Sequence, residues 1–224
     1  TDESQNFYFI EANTRLQVEH PVTELVTGLD IVELQIRSAQ GETLPIRQED
    51  LICRGYAIEA RLCAEIPQRA FQAAIGEVHA LTLPVAQEGV RVDHSLAPGL
   101  HIGAEFDSLL AKVIAWAPTR ENGIQLLDQA LDQLQLVGVE TNSFFLRQLI
   151  ASKLFRSDSS SIPGINTQSI DSLPTAAPIF SSASVRGEVA ALSYLIAKVS
   201  DLQKSLPSSD PFAPRLRLDR NAIV

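Results

Sequence analysis

The segment CRGYAIEARLC, residues 53–63, constrains the fold of this chain more than any other stretch, because its side chains alternate over a full strand length. The alternation assigns two sets of residues to opposite faces: Tyr56, Ile58 and Ala60 on one, and Ala57, Glu59 and Arg61 on the other. A period of two predicts a half-buried β-strand. Similar patterns predict further strands at 77–83, 89–93 and 112–116, with turn chemistry at Ala97-Pro98-Gly99.

Helix patterns lie on both sides of these strands. The pattern at 30–39, where Asp30 can cap the first turn and Glu33 follows three residues later, predicts one helix. A second helix is predicted from about Thr119 and a third over 143–154. The second presents one apolar face: Ile124, Leu127, Leu131 and Leu134. Strands and helices do not alternate regularly, so the predicted fold class is α+β.

The composition changes at Arg156. From there to residue 184 the chain is rich in Ser and Pro, which predicts a linker with a short ordered insert at 167–173. An apolar stripe predicts a helix over 185–206, and the composition of 207–224 is typical of a poorly ordered tail.

Overall composition excludes several classes of protein. The chain is 45% hydrophobic with a formal net charge of −9, which predicts a soluble globular protein that binds neither nucleic acid nor membrane. No apolar run approaches the roughly 20 residues of a membrane helix. Cys53 and Cys63 are too few for a disulfide framework and are predicted to be buried thiols. The chain has no Met, which predicts a fragment of a longer protein.

A charged stretch, FIEANTRLQVEHPVTE at 9–24, follows a short strand predicted at 7–10. If the strand continues, Glu11 and Asn13 project from its end on one face. A carboxylate and an amide oxygen are ligands that Mg²⁺ or Mn²⁺ takes beside phosphate oxygens. On the pattern alone, the simpler interpretation is that Glu11 is a strand-end acid and Asn13 a turn residue.

Arg15 and Glu19 stand four residues apart in the same stretch. A guanidinium binds carboxylate-like anions and a nearby carboxylate can act as a base, although a local ion pair on a surface loop explains the same spacing. His20, before a proline, is interpreted as a structural donor on extended backbone, and Glu24 as a solvated or capping acid.

Three further charged residues lie on or beside the predicted strands. Arg61 needs an anionic or carbonyl partner, which Glu59 or a ligand could provide. Asp107 and Lys112 flank the run SLLA, where the pattern does not separate a functional role from a turn that precedes a strand.

Six blocks of sequence, in this order and spacing, resemble the second half of the biotin carboxylase component of biotin-dependent carboxylases. They are EANTRLQVEHPVTELVTGLDIVELQ, GYAIEARLCAE, VRVDHSLAPG, FDSLLAKVIAW, TRENG and VGVETNSFFLRQLI. The resemblance implies a reaction in which ATP phosphorylates bicarbonate and the activated carbon dioxide passes to N1 of biotin on a carrier domain. The acetyl-CoA, propionyl-CoA, methylcrotonyl-CoA, pyruvate and urea carboxylases share this component.

The resemblance also implies a domain order. Residues 1–45 would be the end of an ATP-grasp module, and 46–173 would be the biotin carboxylase C-terminal domain, an antiparallel sheet with flanking helices. The linker would then occupy 174–184, followed by the helix and the tail predicted above.

Roles for individual residues follow from the same resemblance. Glu11 and Asn13 match divalent metal ligands, and Glu11 also lies against ATP in the family. Arg15 matches a catalytic arginine that binds bicarbonate and stabilises the biotin enolate. Gln17 and the backbone of Val18 match further bicarbonate contacts.

Glu19 matches the general base that deprotonates bicarbonate. Arg61 matches the arginine that holds the ureido oxygen of biotin. The cofactors implied are ATP, Mg²⁺ or Mn²⁺, and carrier-bound biotin. The partners implied are a biotin carboxyl carrier domain, a carboxyltransferase component and a second copy in a homodimer, in the cytoplasm or the mitochondrial matrix.

The chain departs from the family at several positions. Ala12 stands where many members have Met, Phe106 where most have Tyr, and the block after EARLCAE lacks the family's Asp at Ile66 and its Pro-Ser at 73–74. The family's Gly-rich ATP lid is not in these 224 residues, so the isolated polypeptide is predicted to be inactive. The alternatives are a non-catalytic copy that serves as a dimerisation module, and another ATP-grasp ligase that joins a carboxylate to an amine.

Overall fold

The computed structural model of the chain describes residues 8–84 and 86–156. These residues form helices and short strands connected by turns. The helices are α1 His20–Thr27, α2 Ile31–Ala39, α3 Arg120–Gln133, α4 Ser143–Ala151 and α5 Lys153–Arg156. The strands are β1 Tyr56–Cys63, β2 Glu65–Ile66, β3 Gln72–Ala73, β4 Gly76–Glu77, β5 Ala80–Thr82, β6 Val90–His94, β7 His101–Ile102, β8 Leu109–Ala117 and β9 Gln135–Val137.

A three-stranded antiparallel sheet, in the order β1-β8-β6, is the centre of the described part. Three two-stranded antiparallel pairs surround it: β2 with β3, β4 with β7, and β5 with β9. The α+β class predicted from the sequence is confirmed, and so are the strands predicted at 53–63, 89–93 and 112–116, within a few residues at their ends.

One face of this sheet packs against α3 and is apolar. The predicted helical stripe is confirmed, since Ile124, Leu127 and Leu131 are fully buried, and Leu62 and Val113 of the sheet are fully buried too. Burying a Leu or Ile side chain stabilises a fold by about 1.5–3 kcal/mol. Thr119 begins α3 as an N-cap, accepting a hydrogen bond from the Asn122 amide.

The other face of the sheet is polar and packs against α1. Directly paired residues of antiparallel strands point to the same face. The charged side chains of Glu59, Arg61 and Lys112 therefore share this face with the buried Ile114. Because the apolar face is packed against α3, the backbone positions of the charged residues on the other face are fixed.

Several predictions of local structure are wrong. Residues 8–10 form no strand and are exposed. The strand predicted at 77–83 is two strands, β4 and β5, which pair with different partners. The third helix is divided because Ser152 has extended backbone, with φ −65° and ψ 147°.

Three predictions about single residues also fail. His20 is the first residue of α1, so its backbone is not extended. Cys53 is exposed and Cys63 is only half-buried.

The family departures at Ile66 and 73–74 fall in and directly after the β2–β3 hairpin, where Ala70 has a positive φ of 52°.

The linker, ordered insert, helix and tail predicted over 157–224 lie outside the described residues. In the part of the chain that the structure does describe, no helix combines the length and apolar character needed to cross a bilayer.

Candidate active site

Arg61 lies between two carboxylates on the polar face of the sheet. An Arg61 terminal nitrogen donates to Glu19 Oε2 at 2.7 Å, across 42 residues of sequence. The Arg61 Nε lies 3.6 Å from Glu59 Oε1. The side chains of Arg61 and Glu19 are 48% and 56% exposed, so this ion pair is open to a ligand. The structure thus brings together the two residues for which the resemblance implies separate roles, Arg61 with biotin and Glu19 as the base that deprotonates bicarbonate.

Glu59 differs from Glu19 in its surroundings. Its side chain is only 5% exposed, and neither carboxylate oxygen has a hydrogen-bond partner among the described residues. The 3.6 Å separation from Arg61 is too long for a hydrogen bond. Burial raises the pKa of Glu59, while the positive charges of Lys112 and Arg61 act against that shift and the charge of Glu19 adds to it.

The raised pKa of Glu59 predicts how stability changes with pH. The folded state holds the proton more tightly than the unfolded state, whose ordinary value is 4.5. The contribution of Glu59 to stability is therefore complete below that value and is lost as the pH rises through the folded pKa. In urea unfolding, the wild type should lose stability relative to Glu59→Gln as the pH increases from 4 to 7. A constant difference between the two proteins across this range would contradict the prediction.

Lys112 holds the backbone of the charged stretch. Its Nζ donates to the Val18 carbonyl at 3.2 Å and pairs with Asp93 at 3.1 Å, and its side chain is 13% exposed. The Val18 carbonyl is therefore bound to a side chain of β8. Asp107, which the sequence left undecided beside Lys112, accepts a hydrogen bond from the Leu109 amide at 2.8 Å and forms a turn before β8.

A second ion-pair network anchors α1 and α2. Glu24 Oε2 accepts a hydrogen bond from Arg91 at 2.6 Å, and Glu24 Oε1 accepts one from the Ile31 amide at 2.8 Å. Glu24 is buried, so the capping interpretation is right and the solvated one is wrong. Burial opposes ionisation of Asp93, but hydrogen bonds from Arg91 and Lys112 outweigh it and lower the pKa of Asp93.

The start of the charged stretch forms a chain of exposed polar contacts. Asn13 Nδ2 donates to Glu11 Oε1 at 3.4 Å, and Arg15 donates to Asn13 Oδ1 at 3.1 Å. Gln17 Nε2 donates to the Asn13 carbonyl at 3.3 Å. The Asn13 amide nitrogen thus faces Glu11, while the Asn13 oxygen is bound to Arg15. Nucleotide-bound Mg²⁺ ordinarily takes one or two carboxylates beside phosphate. Residues 8–84 and 86–156 contain no group of three or more His, Cys, Asp or Glu that could hold a metal.

A surface pocket of about 290 Å³ lies beside these contacts. Arg15, Gln17 and Glu19 line it together with residues of α1 and α2. His20 lies at the pocket as well, and its Nδ1 is 2.8 Å from the Gln17 carbonyl. The pocket brings a cation, an amide and a carboxylate to one place, which suits a small polar anion.

Asn142 is a structural residue that the sequence pattern did not single out. Its side chain is buried, accepts a hydrogen bond from the Cys63 amide at 2.9 Å and donates to the Arg61 carbonyl at 3.1 Å. These bonds hold the end of β1, where the register shifts between Leu62 and Cys63. Asn142 lies 81 residues from Arg61, so local patterning gave no signal for the contact.

Comparison with known families decides the family of the chain. The model of the biotin carboxylase C-terminal domain matches residues 59–171, which include Arg61, Lys112 and Asn142. The chain belongs to the biotin carboxylase family. The model of the ATP-binding domain of the carbamoyl-phosphate synthase L chain matches residues 1–47, which contain the charged stretch.

Curated biotin carboxylases are similar to the chain over much of its length. The 2-oxoglutarate carboxylase small subunit of Hydrogenobacter thermophilus is 45% identical over 69% of the chain and 33% of its own length. The biotin carboxylase of Pseudomonas aeruginosa is 44% identical over 68% of the chain and 34% of its own length. The mitochondrial methylcrotonoyl-CoA carboxylase subunit alpha of rat is 38% identical over 78% of the chain and 24% of its own length. The chain therefore spans between 24% and 34% of the length of these relatives.

Solved biotin carboxylase structures share the fold. The Hydrogenobacter thermophilus 2-oxoglutarate carboxylase domain, a dimer in complex with MgADP, ADP and bicarbonate, matches with a TM-score of 0.67 at 45% identity, over 69% of this chain and 34% of that one. The biotin carboxylase subunit of a pyruvate carboxylase matches with a TM-score of 0.66 at 43% identity, over the same shares.

Proposed function

We propose that this chain supplies part of an ATP-dependent biotin carboxylase, which activates bicarbonate with ATP and carboxylates N1 of carrier-bound biotin. The observation that carries this proposal is the 2.7 Å ion pair between Glu19 and Arg61, next to the pocket lined by Arg15 and Gln17. The pair joins Glu19, the candidate base, to Arg61, the candidate residue for binding biotin. The two residues lie in segments that are matched by two different family models.

Bicarbonate would bind in the pocket through charge and hydrogen bonding. Arg15 would bind its negative oxygens and the Gln17 amide would donate to one of them, while Glu19 would accept the proton of its hydroxyl group. Removing that proton raises the negative charge of the anion, and the guanidinium groups of Arg15 and Arg61 would stabilise the added charge. Glu19 is exposed enough to reach a ligand without a change of fold.

Arg61 would bind biotin while it stays paired with Glu19. A guanidinium has five N–H donors, so the bond to Glu19 leaves others for the ureido oxygen. Glu11 and Asn13 would hold a divalent metal, which neutralises phosphate charge when bound. The Glu11 carboxylate and the Asn13 oxygen, which now accepts from Arg15, would form part of a ligand set that phosphate and water would complete.

We also propose the domain boundaries given above, with the ATP-grasp end at 1–45 and the C-terminal domain at 46–173. The family matches at 1–47 and 59–171 support this division. Partners would be a biotin carboxyl carrier domain, a carboxyltransferase component and a second copy of the chain. Support comes from the relatives: the domain of the Hydrogenobacter enzyme is a dimer, and the rat relative is named as one subunit of a mitochondrial carboxylase.

A chimera tests the proposed function. Residues 8–156 of this chain replace the matching part of the Pseudomonas aeruginosa biotin carboxylase, and ADP release is measured with ATP, bicarbonate and free biotin. We expect turnover that requires both bicarbonate and biotin, and that Glu19→Gln abolishes. A chimera that folds and binds ATP but does not turn over would favour a non-catalytic dimerisation module. Turnover that ignores biotin would favour another ATP-grasp ligase.

A further inference from the structure

The buried carboxylate of Glu59 has no role in the function proposed above. It lies two residues before Arg61 on β1 and points to the same face of the sheet. Its side chain is 95% buried, and both its oxygens lack hydrogen-bond partners in the described part of the chain. Leaving a buried carboxylate without partners is costly, so a carboxylate at this position calls for a physical explanation.

The other charged groups on this face are already engaged. Lys112, on the adjacent strand β8, is bound to Asp93 and to the Val18 carbonyl. Arg91 of β6 is bound to Asp93 and Glu24. Glu19, at the start of α1, is an anion and repels Glu59. Lys112 acts on Glu59 through its positive charge. The Nε of Arg61, 3.6 Å away, is the cationic atom that lies within ion-pair distance of Glu59 in the described part of the chain.

Two acids contact the guanidinium of Arg61 at different atoms. Glu19 accepts from a terminal nitrogen and Glu59 faces Nε. A planar group that is attracted at two separate atoms is fixed in orientation as well as in position. A long arginine side chain with one anchor would keep rotational freedom about its last bonds, and a ligand would have to remove it.

We propose that Glu59 is a positioning residue for Arg61, whose ionised carboxylate, acting on Nε, fixes the plane of the guanidinium while Glu19 binds its terminal nitrogen. The meaning of this role for catalysis rests on the proposed function, since Arg61 is the residue assigned to biotin. Protonation of Glu59 would weaken the attraction to Nε, so the orientation of Arg61 would follow the ionisation of a group that does not touch the ligand. The raised pKa of Glu59 agrees with such a coupling.

Nuclear magnetic resonance of the 224-residue chain tests the coupling. The Glu59 side-chain carboxyl carbon and the Arg61 Nε–Hε signal are followed from pH 4 to pH 8. We expect the Arg61 signal to show a step with the same midpoint as the Glu59 carboxyl, and Glu59→Gln to remove that step. Because the wild type alone must show the shared midpoint, the test does not depend on the stability of the variant.

The chain offers a matched control. Glu33 Oε1 also lies 3.6 Å from an arginine Nε, that of Arg37, but this pair is exposed on α2. Glu33→Gln should leave the step in the Arg61 signal unchanged. An Arg61 signal that does not follow the Glu59 midpoint, or that keeps the step in Glu59→Gln, would overturn the proposal. Neither result depends on carboxylase activity, so the coupling and the proposed function can fail separately.

Discussion

Replacing Arg61 with alanine is expected to lower kcat/KM for free biotin by roughly 10- to 100-fold in the chimera with the Pseudomonas aeruginosa enzyme. A hydrogen bond to a charged group contributes about 1.5–3 kcal/mol, and each 1.4 kcal/mol is a factor of about ten. Arg61→Lys should fall between the alanine variant and the wild type, because lysine keeps the charge but lacks the planar set of donors. Steady-state rates of ADP release at varied biotin concentration measure the effect.

The loss should not come from breaking the Arg61–Glu19 ion pair. Because Arg61 also faces the buried Glu59, thermal unfolding of the Arg61→Ala chimera must show that it is folded at the assay temperature. The Arg61–Glu19 pair is about half exposed at both side chains, and exposed ion pairs contribute only about 0–1 kcal/mol to stability. Arg47→Ala provides the control, since Arg47 is also paired with two acids, Glu49 and Asp50, but lies outside the pocket. The control should keep the wild-type kcat/KM. If the Arg61→Ala chimera kept the kcat/KM of the wild-type chimera for free biotin, the proposal that Arg61 binds biotin would be wrong.

Sequence patterns predicted correctly the helices and strands in which one face is buried, because burial of one face produces a regular spacing of apolar residues. The stripe of α3 and the alternation of β1 are both explained by a single apolar layer around Leu62, Val113 and Leu127. The strand predicted at 7–10 has apolar residues in the right pattern, but residues 8–10 form no strand and are exposed. So short an apolar run does not by itself decide between a strand and an exposed loop.

The candidate site was predictable only in part. Spacing gave a weak case for metal at Glu11 and Asn13, and the family resemblance supplied roles for the rest. The contacts of Lys112 with Val18 and of Arg91 with Glu24 connect residues 94 and 67 positions apart. Periodic patterns in the sequence report only on neighbouring residues, so they cannot predict such long-range contacts. The contacts form because the folded sheet brings its charged side chains next to α1.

Glu24→Ala should cause the largest loss of stability among charged residues at this interface, about 2–4 kcal/mol in urea unfolding. Two bonds to one buried carboxylate are lost, each in the range of about 1.5–3 kcal/mol. The two bonds together would give about 3–6 kcal/mol. The expected loss is smaller and lies in the lower part of the roughly 3–5 kcal/mol of a broken buried ion pair or just under it, because Arg91 is partly exposed and keeps Asp93.

Glu24→Gln separates the two roles of this residue. An amide oxygen can still accept from the Ile31 amide at the start of α2, but it cannot neutralise Arg91, so an intermediate loss is expected. Glu42→Ala is the control: Glu42 also pairs with an arginine, Arg37 at 3.3 Å, but its side chain is about half exposed, and a change within about 0.5 kcal/mol is expected. If Glu24→Ala matched this control, the Arg91–Glu24 ion pair would contribute little to holding α1 on the sheet. Glu19 would then owe its position near Arg61 to the packing of buried residues such as Pro21 and Ile114 and to the hydrogen bond from Lys112 to the Val18 carbonyl.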